Sequence, residues 1–286
     1  MIASQTPLPT EPAEVGALVE ATFRVFMTTM WGCFPLTLAP SLIGLLPALS
    51  MPDPEADPLA ALEWFQRPSV WAMYLLLSVV SALCINAVVF RMGMQGRGHP
   101  AGLIDSVTRG MQRLAAGLGG WLLYLLIVIA TMLPWVAAIA VGQALQGEVG
   151  AAVGALLGMG LLAVPTWASL AFGLFIYAVV LERRSAVGAL RRSMQLVHGN
   201  WWRSSLVVGV ALLIYSIGIF FVALIAAALA GLLLWFSQGS GAMHGAAWLV
   251  GVQLLLAPFT ALGQQLMLAS GLAMFNDLVL RKPQPA

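Results

Sequence analysis

"WFSQGSGAMHGAAW" runs from Trp235 to Trp248 and interrupts a stretch, Ser204 to Asn276, that holds no Asp, Glu, Lys or Arg. A helix needs about 20 apolar residues to cross the hydrocarbon of a bilayer. The stretch is too long for one crossing, and the turn-like residues 237–245 divide it into two. Four more charge-free runs lie at 25–52, 68–90, 114–147 and 149–181. Six helices are therefore predicted, near 31–50, 69–91, 119–143, 153–181, 204–236 and 247–276. Several are longer than the hydrocarbon requires, which implies tilt or short extensions beyond the lipid.

Composition points the same way. The chain is 60% hydrophobic and 8% charged, whereas soluble domains carry about a quarter charged residues. The short alternating segments of a membrane barrel are absent. The expected class is all-α: a polytopic protein with one membrane domain over residues 1–286. Its formal net charge of +2 gives no footprint for nucleic acid. Cys33 and Cys84 fall in apolar runs and read as small buried hydrophobes. The first twelve residues, with Glu11, Pro7, Pro9 and Pro12, do not read as a cleavable signal, so an uncleaved first span is expected to direct insertion.

The connections between spans alternate in charge. Segment 51–67 sets Asp53, Glu55, Asp57 and Glu63 against Arg67; turn 144–152 holds Glu148; and 237–246 holds only titratable His244. The other connections and the termini carry Arg24, Arg91, Arg97, Arg109, Arg113, Arg183, Arg184, Arg191, Arg192, Arg203, Arg281 and Lys282, all but one of the 13 basic residues. The positive-inside rule puts that side, with both termini, in the cytoplasm. Trp31, Trp64, Trp71, Trp121, Trp201, Trp202, Trp235 and Trp248 fall at expected span ends, where indole rings are favoured. Trp135 and Trp167 are expected to pack between helices.

Three of the basic-side stretches are similar: "VGALVEATFRVF" from Val15, "AGLIDSVTRGMQ" from Ala101 and "VGALRRSMQLVH" from Val187. Gly16, Gly102 and Gly188 align at one offset of about 86 residues, and each stretch precedes two spans. The pattern implies three parallel units, 13–98, 99–184 and 185–276, each an interfacial amphipathic helix followed by a helical hairpin; shared hydropathy alone could also impose the spacing.

In the third stretch Val187, Leu190, Met194, Val197 and Trp201 recur at helical spacing, opposite Arg191, Arg192, Gln195 and His198. Ser185 is placed to cap the helix and Gly199 to end it. Such a helix suits the membrane interface, with guanidinium groups at lipid phosphates. Three roles are compatible: anchoring, a site for an anionic lipid or phosphate, and docking of a protein partner. The candidate contact residues are Arg109, Arg113, Arg191, Arg192, His198 and Arg203.

The stretch Pro165–Val208 resembles a pattern of YciC-like bacterial membrane proteins, which is similar to the membrane domain fused to some glycerophosphodiester phosphodiesterases. The resemblance rests on Glu182 after an apolar run, on Ala189, Leu190, Arg192 and Ser193, and on Leu196, Gly199, Trp201, Trp202 and Arg203. It covers about a sixth of the chain, and a proline expected shortly before Glu182 is missing. It implies a six-span protein of the bacterial inner membrane and carries over no catalysis.

The residues themselves offer little chemistry. No acidic or basic residue is expected in mid-span, which disfavours a carboxylate-coupled transporter. Asn86, Gln143, Gln253, Gln264 and Gln265 read as hydrogen bonds between helices. Pro35, Pro40, Pro47, Pro134, Pro165 and Pro258 read as kinks repaired by neighbours. His99, His198 and His244 lie in different connections without a ligand set, and "GSG" around Ser240 has no triad partner. No metal, cofactor or catalytic group is expected. Gly150, Gly154 and Gly158, four apart, form a ridge for close helix packing, within the chain or in a homo-oligomer. The expected function is non-catalytic: lipid-interacting or scaffolding work in the envelope, with membrane lipids or an unidentified protein as partner. The competing expectation is a permease-like subunit for an apolar or amphipathic molecule.

Overall fold

A helix satisfies its own backbone in lipid, and the charge-free runs take that form. In the computed structural model, which describes residues 7–50, 52, 58–145, 147–236 and 246–282, no strand occurs among the described residues. The helices are α1 (Val15–Ile43), α2 (Leu45–Ser50), α3 (Pro58–Gln66), α4 (Pro68–Gly96), α5 (Leu103–Gln112), α6 (Leu114–Ala144), α7 (Gly147–Leu161), α8 (Ala163–Gly173), α9 (Phe175–Val180), α10 (Ala186–Val197), α11 (Trp201–Phe236) and α12 (Ala246–Arg281). Six stretches are long and apolar enough to cross a membrane: Val15–Pro47, Pro68–Gly96, Leu114–Ala144, Val149–Val180, Trp201–Ile225 and Gln253–Arg281. Each overlaps one expected span. The 237–245 turn, with Ser240 and His244, lies outside the described residues.

The first span departs most from expectation. It starts at Val15, so the first of the three expected interfacial helices is not a separate element. Leu18, Thr22, Val25, Thr29, Cys33 and Leu36 continue one buried stripe at helical spacing without a break. Glu20 and Arg24, which suggested an extramembrane segment, pair with each other at 2.5 Å across one turn of this helix. Arg91, the last residue of the second expected span, falls inside α4, which continues to Gly96, and its guanidinium packs against Gly32, where a Cβ would come within 2.7 Å of Nη2. The helices thus run on past the charge-free stretches at their basic ends. Trp31 sits midway along the first span, 78% exposed, and Trp167 is exposed rather than packed between helices.

The fourth span is broken into α7, α8 and α9. At the break around Leu174, Ser193 of α10 bridges the gap. Its hydroxyl donates to Ala171 O at 2.8 Å and accepts from Leu174 N at 3.1 Å. Two backbone groups bordering the break are satisfied by one side chain from another helix.

Burial is concentrated at one end. Phe175, Ile176, Tyr177, Val179, Leu196, Leu272, Met274, Phe275 and Leu278 pack there with Leu18, Val25, Val88 and Met92. Both ends of the described chain meet at this same end, because Arg281 Nη2 donates to Ala13 O at 2.9 Å. Away from it, Leu122, Leu126, Ile129 and Leu133 of α6 are exposed, as are Leu213, Phe220, Phe221 and Ile225 of α11. So large an apolar surface suits lipid and not water.

Near the other end α6 and α7 meet at backbone distance. A Cβ on Gly150 would stand 2.7 Å from Gly142 O, and one on Gly154 2.8 Å from Gly142 Cα. The glycine ridge therefore packs within the chain, and Gly158 faces Trp135 of the same helix pair.

Candidate functional site

The basic end is built in two layers. The inner layer contains two carboxylates, Asp277 fully buried and Glu182 partly buried. Glu182 follows α9, where the chain turns through Arg183 at φ +57°. It accepts from Arg184 Nε at 2.7 Å and from Arg192 Nε at 3.2 Å. Asp277, fully buried in α12, accepts from Ala13 N at 2.9 Å, Arg203 Nε at 3.0 Å and Arg281 Nε at 2.9 Å. Arg203 also donates to Ala13 O. Leu8 N donates to Gly96 O at 3.2 Å, and Asn276 Nδ2 to Pro9 O at 2.8 Å. The segment before α1 is thus strapped across the ends of α4 and α12.

The outer layer is cationic and faces away from the core. Arg97, Arg183 and Arg191 are exposed and make no side-chain ion pair among the described residues. Arg109 Nη1 donates to Gln112 Oε1 at 3.2 Å, and Arg113 Nη1 to Arg183 O at 3.3 Å. Lys282 Nζ donates to Gln195 O at 3.1 Å and to His198 O.

This layering separates the six candidate contact residues. Arg192, 7% exposed, and Arg203 belong to the inner ion pairs. Arg191, Arg109, Arg113 and His198 belong to the outer face. Helix α10 is a distinct element, and Ser185 Oγ accepts from Gly188 N at 3.4 Å to cap it. Gly199, at φ +81°, follows its end in the left-handed conformation that glycine adopts freely. Its buried side is Ala189, Leu190, Arg192, Ser193, Leu196 and Val197, while Val187 is 61% exposed and Met194 also faces out. The buried face is therefore rotated from the expected apolar stripe, because Arg192 and Ser193 find polar partners inside the protein.

Helix α5 does not lie across the end of the bundle. It folds back along α4, where a Cβ on Gly110 would stand 2.9 Å from Leu83 O and 3.1 Å from Ala87 N. Ala87 is about 14 Å along α4 from its end at Gly96, at 1.5 Å per residue. Asn86, fully buried, donates from Nδ2 to Gly110 O at 3.3 Å. Between α4 and α5 opens a groove of about 420 Å³ lined by Phe90, Met94, Asp105, Thr108, Arg109 and Gln112, with Pro100 and Ala101 at one side.

Gln265, fully buried, lies 2.7 Å from Thr37 Oγ1 and within 3.2 Å of Met30 O and Phe34 N. These atoms lie on α1 on both sides of Pro35. Cys33 and Cys84 are buried free thiols. Among the described residues no three of His, Cys, Asp and Glu come together to hold a metal.

Comparison with family models, curated proteins and solved structures finds no match to this chain. The geometry therefore carries the functional reading by itself: an apolar bundle with six membrane-length helices whose exposed cations, Arg67 apart, gather at one end among the described residues.

Proposed function

We propose that this is a non-catalytic, lipid-interacting protein of the bacterial inner membrane, a single membrane domain whose basic end lies at the cytoplasmic face. The observation that carries the reading is the outer cationic layer. Arg97, Arg109, Arg183 and Arg191 stand clear of the ion pairs that hold the fold, beside helices whose outer surfaces are apolar. Guanidinium groups so placed suit lipid phosphates, and each basic residue near an anionic surface adds about 1 kcal/mol. The excess of Arg and Lys at the end where both ends of the described chain meet supports the cytoplasmic assignment. The YciC-like resemblance at Glu182, Arg192 and Arg203 supports the inner membrane. The starts of α1, α5 and α10 at Val15, Leu103 and Ala186 support three related units, although only the last two begin with a separate short helix.

The test is lipid retention after purification in mild detergent, read by native mass spectrometry. Arg183→Glu with Arg191→Glu is expected to lower retained phosphatidylglycerol severalfold while the melting temperature holds. Equal retention in a folded double variant would defeat the reading.

One observation favours a second reading, a permease-like subunit for an amphipathic molecule: the fourth span is broken at Leu162 and Leu174. Broken spans accompany substrate sites in many transporters. Here the Ser193 bridge supports the simpler role of a stitched kink. A co-purifying ATPase would revive transport, and its absence together with lack of substrate-dependent stabilisation would remove it.

A further inference from the structure

Three pairs of opposite charges stand four residues apart on helices of this protein, and two of them close. Glu20 and Arg24 meet at 2.5 Å on α1, and Asp277 and Arg281 at 2.9 Å on α12. Asp105 and Arg109 have the same spacing and the favourable order, acid before base. They do not meet. The Asp105 carboxylate lies back over Gly102, with Oδ2 3.2 Å from where a Cβ would stand. Arg109 turns forward to Gln112 Oε1 at 3.2 Å. Both residues line the α4–α5 groove, with Thr108 and Gln112 between and beside them and Phe90 and Met94 as its apolar wall.

We infer that the α4–α5 groove binds the zwitterionic headgroup of an ethanolamine phospholipid, with Arg109 on the phosphate and Asp105 on the ammonium. This rests on the lipid-interacting reading and names one lipid class for it. The two charges of phosphoethanolamine are joined by a two-carbon link. The Asp105 carboxylate points back and the Arg109 guanidinium forward along α5; their Cβ atoms stand about 5–6 Å apart, so both side chains can turn to the two ends of a headgroup laid between them. Thr108 and Gln112 add hydroxyl and amide groups for the phosphate oxygens. Phe90 and Met94 face the glycerol and the first methylenes. The groove, about 420 Å³, falls within the ~300–1,000 Å³ of small-molecule sites. A purely anionic headgroup would leave Asp105 facing like charge, and a choline headgroup offers no N–H to the carboxylate.

A competing role for both residues is local. Asp105 in the first turn and Arg109 in the last turn of α5 suit the helix dipole. That role predicts a small stability effect and no lipid selectivity.

The experiment is native mass spectrometry of the full chain, exchanged against phosphatidylethanolamine, phosphatidylglycerol or phosphatidylcholine. The wild-type chain is expected to retain the ethanolamine lipid roughly tenfold better than the other two, the size of one charge-assisted hydrogen bond. Asp105→Asn should erase that preference while glycerol-lipid retention is kept, and Arg109→Gln should lower both. Soluble phosphoethanolamine in excess should not displace the lipid. Displacement would assign the groove to the free headgroup and overturn the lipid assignment. Equal retention of all three lipids by the wild-type chain, or a preference that survives Asp105→Asn, would overturn the inference. If phosphatidylglycerol is still held through Arg183 and Arg191 in that case, the broader lipid reading stands. If no lipid is held, both fall.

Discussion

At the basic end the spans meet through buried side chains and carboxylate-centred ion pairs; near the opposite end the close meeting is between α6 and α7, at Gly142, Gly150 and Gly154. Both regions are apolar, so apolar content does not distinguish them. In lipid, apolar side chains gain little by burial against one another, because the acyl chains are equally apolar. Close backbone approach and satisfied polar groups hold helices together instead. The basic end has Asp277, Glu182 and Ser193 for this purpose, and Gln265 serves it deeper in the bundle, between α12 and α1. On α11, Leu213, Phe220 and Phe221 are exposed, and its contact with α12 is the close approach of the Tyr215 ring to Gly263.

The sharpest way to break the comparison is at Asp277. Asp277→Ala leaves Ala13 N without an acceptor and the Arg203 and Arg281 guanidinium groups without their carboxylate. Breaking a buried pair costs about 3–5 kcal/mol. A large loss of folded protein, read as a lowered melting temperature in detergent, is expected. A melting temperature like that of the wild type would mean that the inner ion pairs do not hold this end together.

Gly154→Leu is expected to act more locally. Its Cβ would already stand 2.8 Å from Gly142 Cα, and overpacking costs about 1–3 kcal/mol. Hydrogen exchange should rise along α6 and α7 near that contact, while α9, α10 and the end of α12 keep their protection. Exchange that rises equally at the basic end would show that the two regions do not behave independently.

The six spans were legible because the absence of charge is a property of each run taken alone, and a lipid crossing imposes it directly. The start of α1 was less so. Glu20 and Arg24 look like the outside of a membrane until they are seen to pair across one turn on its exposed side. The stripe from Leu18 to Leu36 nevertheless carries the helical spacing from the start. The α6–α7 contact had a readable half in Gly150, Gly154 and Gly158. Its partner, Ala138 and Gly142 four apart on α6, carries the same small-residue spacing. Ser193 had no such signal, since its role depends on a break in another helix. The division between Arg191 and Arg192 was equally hidden. The two are neighbours in sequence, and only the position of Glu182 in space decides which one turns inward.

That pair gives the most direct test of the central claim, that inner charges hold the fold and outer charges hold lipid. Arg191→Gln and Arg192→Gln, compared by native mass spectrometry with stepwise collisional activation, report bound lipid and resistance to unfolding together. Arg192→Gln is expected to unfold at lower energy, by about 2 kcal/mol for a hydrogen bond to a charged group, and to retain lipid while folded. Arg191→Gln is expected to unfold as the wild type does, within about 0.5 kcal/mol, and to retain less anionic lipid. The reverse pattern, lipid lost with Arg192 and stability lost with Arg191, would contradict the account.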